Sequence, residues 1–248
     1  MQRFSRRKFV ATIGAATVAP ASALYPAQAA APQQMAPPVS PAESAKPVYL
    51  FFNLAEAAFI DSACERLIPA DESGPGALGA GVPNYLDKQL GGAWGSGERL
   101  YRSGPWKAGS PSQGYQLPFT PAELFHVALR AINRHFETQG AAFGTLSAEG
   151  QDTYLKTLEA GGADLDGVPS AVFFDMLLRM TVEGFFSDPV YGGNRDMVAW
   201  RMIGFPGAYA DYYEAIDRHG EKFVREPMSI GEDARRHLHV DPNIPASL

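Results

Sequence analysis

The side chains that most often carry catalysis are few in this chain and lie far apart in the sequence. Its five histidines include one close pair, His237 and His239. Two ligands at i, i+2 spacing can hold a metal ion on a strand, but zinc usually takes three or four ligands, with help from cysteine or carboxylates. We therefore interpret this pair as part of a solvated tail and predict no metal site.

The single cysteine, Cys64, lies on the apolar stripe of a predicted helix, beside Asp61 and Glu65. Negative neighbours raise the pKa of a thiol, which is the opposite of what a nucleophile or a cluster ligand needs. We expect a buried, small apolar residue. A c-type haem would need a C-x-x-C-H motif, which this sequence does not contain.

The glycine-rich stretch from Gly74 to Gly81 has the spacing of a phosphate loop but follows no strand and lacks the Gly-Lys-Ser/Thr ending. The motifs of serine hydrolases, zinc proteases and dinucleotide-binding proteins do not occur either. Glu183 lies in a very apolar predicted helix, where a buried carboxylate is either a tuned acid or, as we favour, a structural hydrogen-bond acceptor. We predict no catalytic and no cofactor-binding residue in this chain.

Helical start and stop signals begin just after residue 50. Asn53 with Glu56, and Thr120-Pro-Ala-Glu123, have the pattern of a capping box. The first of these helices ends at Pro69 and the second near Thr138. Further helices are predicted from Pro83, from Ser147 to Gly161, over 169–186, over Asp196–Ile203 and over Ala208–His219.

The predicted fold class is all-α, a single-domain bundle of roughly six to seven helices over residues 50–226, because no segment alternates with the period of a strand. The helix over 169–186 is apolar on most of its circumference, so we expect it to be central. A long loop from Gly91 to Pro118 carries several aromatic residues, and loops of this length usually serve a function. Residues 227–248 are predicted to form a C-terminal tail.

The first 29 residues have the three parts of an export signal: a basic start, a short apolar core and a small-x-small exit at Ala27-Gln-Ala29. The segment SRRKFV, with Arg6 and Arg7, resembles the twin-arginine signal of bacteria. That route implies passage through the twin-arginine translocase to the periplasm in a folded state, usually with a cofactor already inserted.

The segment that follows, residues 30–49, is rich in proline and alanine and poor in large apolar side chains, which predicts a flexible leader. Removing residues 1–29 takes away four basic and no acidic residues, so the formal charge changes from −6 to −10. An acidic protein of this kind is a poor partner for nucleic acid or anionic lipid, where lysine and arginine supply the affinity.

The most distinctive stretch is EGFFSDPVYGGNRDMVAWRMIGFPG, residues 183–207, followed in distinctiveness by LIPADESGPGALGAGVPNYLDKQL, residues 67–90. The first contains a Glu, an aromatic pair, Asp-Pro-x-Tyr-Gly-Gly-Asn, a later Trp and Gly-aromatic-Pro-Gly. The second contains Pro-Ala-Asp, Pro-Gly-Ala and Gly-Val-Pro. Both resemble the gluconate 2-dehydrogenase subunit 3 family, and with the helices between them the resemblance covers about residues 50 to 225.

The resemblance implies a non-catalytic small subunit of a periplasmic, membrane-associated dehydrogenase complex. A large flavoprotein subunit would hold FAD and perform the hydride chemistry, and a multihaem cytochrome c subunit would pass electrons to quinone. The large subunit of such complexes commonly lacks an export signal and leaves the cytoplasm bound to the small one. The twin-arginine start then serves the partner, which is folded with its FAD in place.

Six residues are the predicted contacts with the partner, because interface cores favour aromatic side chains and because the DPVYGGN turn is expected to present its polar residues. They are Trp94, Trp106, Glu183, Tyr191, Asn194 and Trp200. Alternatives stay open: a small subunit of a related sorbitol, fructose, glucose or 2-ketogluconate dehydrogenase, a stand-alone enzyme using a carboxylate pair near Glu183 and Asp188, or an unrelated periplasmic binding domain.

Overall fold

The structure is a computed structural model that describes residues 48–107, 109–209, 212–221 and 224–231. Six α-helices form the core of this part of the chain. They are α1 (Leu54–Leu67), α2 (Val82–Gly91), α3 (Pro121–Thr138), α4 (Ala148–Glu159), α5 (Ser170–Phe186) and α6 (Val198–Ile203). The prediction of a mostly helical single domain is confirmed. The export signal, nearly all of the leader, and the pair His237 and His239 lie outside the described residues.

Capping boxes begin α1 and α3, as the sequence predicted. The side chain of Asn53 accepts hydrogen bonds from the backbone of Ala55 and Glu56, and Glu56 accepts one from the Asn53 backbone at 3.1 Å. Thr120 and Glu123 exchange the same pair of bonds at 3.1 and 2.7 Å. Each cap satisfies amides that a helix leaves without an internal partner, which typically contributes about 1 kcal/mol.

Helix α5 is central, as its apolar circumference predicted. It packs against α1, α2, α3, α4 and α6, and its Phe173 and Leu177 side chains are fully buried. On the α1 side, Sγ of Cys64 lies 3.5 Å from the hydroxyl of Thr181. Within the described ranges, no helix has both the length and the apolarity needed to cross a bilayer.

The backbone leading into α1 is fixed by a buried carboxylate on α2. Asp87 accepts hydrogen bonds from the backbone N–H groups of Leu50, Phe51 and Phe52 at 2.9 to 3.0 Å. A second bond joins the Tyr49 hydroxyl to Asp61 on α1 at 2.6 Å. Through these bonds the segment Tyr49–Phe52 is tied to both α1 and α2.

A two-stranded hairpin, which we did not predict, precedes α5. Strand β1 (Asp164–Leu165) pairs antiparallel with β2 (Val168–Pro169). Asp166 and Gly167 between them both have positive φ, 56° and 93°, which is the conformation of a two-residue type I′ turn. The Asp-Gly pair was the available signal, but strands of two residues are too short to show alternation.

The prediction of a last helix over Ala208–His219 is wrong for the described part of that range. Ala208 donates its N–H to the carbonyl of Met228 at 2.7 Å, and Met228 donates to Pro206 at 3.1 Å. Only Tyr212–Ala215 is helical there, as a short 3₁₀ turn. Pairing with a segment about 20 residues further on therefore replaces local helix formation at the start of this range.

Candidate docking site

A groove of about 770 Å³ lies between α5 and the loop Gly91–Pro118. Among the side chains lining it, the loop supplies Trp94, Trp106, Lys107, Tyr115 and Leu117, and α5 supplies Val172, Asp175, Met176, Arg179, Met180 and Glu183. The lining of this concave surface thus combines aromatic and aliphatic side chains with charged ones.

The loop wall is held in place by hydrogen bonds near both of its ends. Gly95 donates to the carbonyl of Gln89 at 3.1 Å and accepts from the backbone of Ala122 at 3.0 Å. Near the other end, the Tyr115 hydroxyl donates to the carbonyl of Phe119 at 2.7 Å, and burial, more than the charge of Glu123, raises the pKa of Tyr115 to about 12. Trp94, which directly precedes Gly95, and Trp106, which lies between the two anchors, keep 41% and 37% of their surface exposed.

The side chains that α5 contributes to the groove recur at intervals of four residues, close to one helical turn. Val172, Met176 and Met180 form its apolar floor, and Asp175, Arg179 and Glu183 stand at the rim. Asp175 and Arg179 form an ion pair at 2.9 Å, whereas no ion pair within 4 Å in the described part of the chain includes Glu183. The rim is therefore polar along its whole length above an apolar floor.

Glu183 is exposed, so our expectation of a buried carboxylate in α5 is wrong. The helix is apolar around most of its circumference, but its stripe through Asp175, Arg179 and Glu183 faces the groove. A smaller cavity of about 110 Å³ lies beside the groove and is lined by Tyr85, Gln89, Trp94, Met180 and Glu183. Burial, followed by the negative charge of Glu183, raises the pKa of Tyr85 to about 12.

Asn194 is fully buried, so the expectation that the DPVYGGN turn presents this side chain at the surface is wrong. Its amide nitrogen donates to the carbonyl of Ser187 at 2.9 Å, and its side-chain oxygen accepts from the N–H of Ala199 at 2.9 Å. Its backbone is left-handed, with φ of 44°, a conformation that asparagine tolerates better than most residues. The side chain shapes the turn from inside.

Trp200 also has an internal position, with 6% of its surface exposed. Its indole N–H donates to the carbonyl of Phe186 at 2.8 Å, and its ring packs edge-on against Phe205 at a centroid distance of 5.2 Å. Tyr191, by contrast, is 49% exposed. Asp188 accepts hydrogen bonds from the Ser229 hydroxyl and the Ile230 backbone N–H, so the turn also holds the segment around Ser229 in place.

Of the six predicted contact residues, the groove brings together Trp94, Trp106 and Glu183. Tyr191 and Asn194 belong to the turn between α5 and α6, and Trp200 lies in α6. The sequence reasoning missed Met176, Met180 and Arg179, although their spacing of three and four residues along the apolar helix was visible. Nothing in the sequence indicated which face of α5 stays uncovered.

Two other reactive side chains in the described part of the chain, Cys64 and His126, serve packing or hydrogen bonding. Cys64 is buried and, because burial disfavours the charged thiolate, its pKa rises to about 12, as we expected for a small apolar residue. Nδ1 of His126 lies 2.9 Å from Oε1 of Glu56, with Phe51 stacked on the imidazole at 4.1 Å. The described residues contain no group of three or more His, Cys, Asp or Glu side chains that could hold a metal ion.

The fold and the groove define a mostly helical domain with an exposed surface of the composition found at protein interfaces, where Trp, Tyr, Met and Arg are enriched. The chain belongs to the gluconate 2-dehydrogenase subunit 3 family, whose sequence model matches residues 55–207, more than half of the chain. The match includes both walls of the groove and the turn between α5 and α6. Comparison with curated proteins and with solved structures gives no significant match.

Proposed function

We propose that this chain is the non-catalytic small subunit of an FAD-dependent dehydrogenase complex of the gluconate 2-dehydrogenase type. Its role is to bind the flavoprotein subunit and to support the folding, stability and export of that subunit. Membership of a family that is itself a dehydrogenase subunit carries the proposal. The exposed groove supports it, since Trp, Tyr and Arg side chains are enriched at interface hot spots and Met at interfaces in general.

The redox groups of the complex are placed in the partners. FAD belongs to the large subunit, which oxidises the sugar, sugar acid or polyol, and haem c belongs to a cytochrome subunit that accepts the electrons. The complex works at the periplasmic face of the inner membrane. The acidic mature chain contributes contact surface and stability.

Export depends in this proposal on Arg6 and Arg7. Because the twin-arginine route carries folded proteins, the small subunit can take a flavoprotein with bound FAD across the membrane. Support comes from the sequence, where SRRKFV precedes a short apolar run of moderate hydropathy.

The test expresses the flavoprotein subunit alone, with this chain, and with this chain carrying Arg6→Lys and Arg7→Lys together. We expect active flavoprotein in the periplasm only with the unchanged chain. Arg3→Lys is the matched control, since it makes the same kind of change outside the arginine pair and should leave export intact. Equal periplasmic activity in all cultures would refute the proposal.

A further inference from the structure

The groove has a repeat that a partner can match. Its floor residues Val172, Met176 and Met180 follow one another at intervals of four residues along α5, as do the rim residues Asp175, Arg179 and Glu183. At a rise of about 1.5 Å per residue, each row presents a side chain about every 6 Å over a length of about 12 Å. This is the spacing of side chains on one face of another helix.

The α5 wall favours a helix over an extended segment. The backbone groups inside an α-helix are bonded to one another, so this wall offers no strand edge that could pair with an added strand. A polyproline segment returns to the same face after three residues, about 9 Å, and is out of step with the rows on α5. The flexible and partly exposed Met176 side chain can adjust to aliphatic or aromatic side chains placed against it, whereas Met180 is buried beneath the groove.

The rim adds a charge requirement. The Asp175–Arg179 ion pair is satisfied within α5, and Glu183 stands exposed one turn beyond it, at the end of the groove near Trp94. A carboxylate here attracts a cation, and the interaction strengthens when a partner displaces water from it. Glu183 already accepts a hydrogen bond from the Tyr85 hydroxyl, but a carboxylate has further lone pairs, which a lysine or arginine on the partner's helix could use.

We propose that the groove binds one amphipathic helix of the flavoprotein subunit, which places apolar side chains on Val172 and Met176 and a basic side chain against Glu183. This inference rests on the proposed function and assigns its docking site. Trp94 and Trp106 close over the helix from the loop side, so both tryptophans lose exposure on binding.

The first test measures the affinity of the mature chain for the purified flavoprotein subunit. We expect Met176→Asp to weaken binding at least 100-fold and Glu183→Lys at least 10-fold, with the second loss shrinking at high salt. The matched controls are Met202→Asp on α6 and Glu159→Lys at the end of α4, both exposed and outside the groove. They should stay within threefold of the unchanged chain, and unchanged thermal unfolding of all four variants confirms that each is folded.

The second test replaces Met176 with a photo-crosslinking amino acid and maps the crosslinked flavoprotein residues by mass spectrometry. Crosslinks at positions three, four and seven apart in one partner segment support the inference, whereas positions two apart, or crosslinks to a second copy of this chain, overturn it. If the unchanged chain binds the flavoprotein and the groove variants bind equally well, the groove assignment fails while the proposed function stands. If the unchanged chain does not bind at all, the proposed function itself fails.

Discussion

The groove and the turn between α5 and α6 are built from different parts of the chain, side chains in the groove and backbone in the turn. The groove is made by side chains on a regular helix and an anchored loop, and its aromatic residues remain partly exposed. The turn, residues 187–197, is made by backbone: Gly192, Asn194, Asp196 and Met197 all have positive φ, and the buried Asn194 amide ties its two ends together. The turn, which has the most distinctive sequence, therefore mainly stabilises the fold. The groove, which is the surface suited to binding, is built largely from residues of a regular helix.

The largest effect should come from Gly193→Ala in the turn. A Cβ at this position would collide with the carbonyl oxygen of Gly184 on α5 and approach the Ser187 hydroxyl to 2.8 Å. Because backbone cannot move aside as a side chain can, we expect a loss of about 3 kcal/mol or more in the free energy of unfolding, measured by urea denaturation. Gly162→Ala is the control, since nothing lies within 4 Å of its added methyl group. Equal stability of the two variants would show that the turn is not tightly packed on α5.

Asn194→Ala should be the next most harmful change. It leaves the carbonyl of Ser187 and the N–H of Ala199 without their partner and puts alanine in a left-handed conformation. Unsatisfied buried groups cost about 1 to 3 kcal/mol each, so we expect a loss of about 2 to 3 kcal/mol in the same urea experiment. Tyr191→Ala, in the same turn but half-exposed, should change stability by about 1 kcal/mol or less. A loss at Tyr191 as large as that at Asn194 would contradict the internal role of the amide.

Trp106→Ala should separate the two regions most clearly. Because this side chain lies on a loop and keeps more than a third of its surface exposed, we expect it to lower the free energy of unfolding by about 1 kcal/mol or less. Its binding to the flavoprotein should nevertheless weaken at least tenfold. A variant that unfolds readily, or that binds as well as the unchanged chain, would place Trp106 with the structural residues.

The smallest effect concerns Cys64, which is buried on α1 against Thr181 of α5. Burial raises the pKa of Cys64 to about 12, so the thiol stays protonated and inert at pH 8, and a thiol reagent should modify it only after denaturation. An unfolded thiol ionises near pH 9, so this residue favours the folded state fully below that pH and progressively less as pH rises from 9 towards 12. Rapid modification of the native chain at pH 8 would show that the Cys64–Thr181 contact opens readily.

The sequence predicted those features that depend on local signals. The capping boxes at Asn53 and Thr120 and the central apolar helix all follow from residues within a few positions of each other. The structure of the segment after Gly207 does not follow from such local signals, because its backbone pairs with Met228 instead of forming a helix. Asn194 is another such case, since a polar residue in a glycine-rich turn gives no sign that its amide is buried. Which face of α5 remains open is decided by the path of the loop, through contacts such as that between Gly95 and Ala122.

The proposed support of folding, stability and export requires a stable contact between this chain and a flavoprotein subunit. The most direct test mixes the purified mature chain with the flavoprotein and follows size-exclusion chromatography at the protein and flavin absorption bands. We expect a single heterodimeric species that contains all of the flavin. The same species should be lost with Met176→Asp but not with Met202→Asp. Separate elution of the two unchanged chains, or flavin travelling with this chain alone, would contradict this expectation.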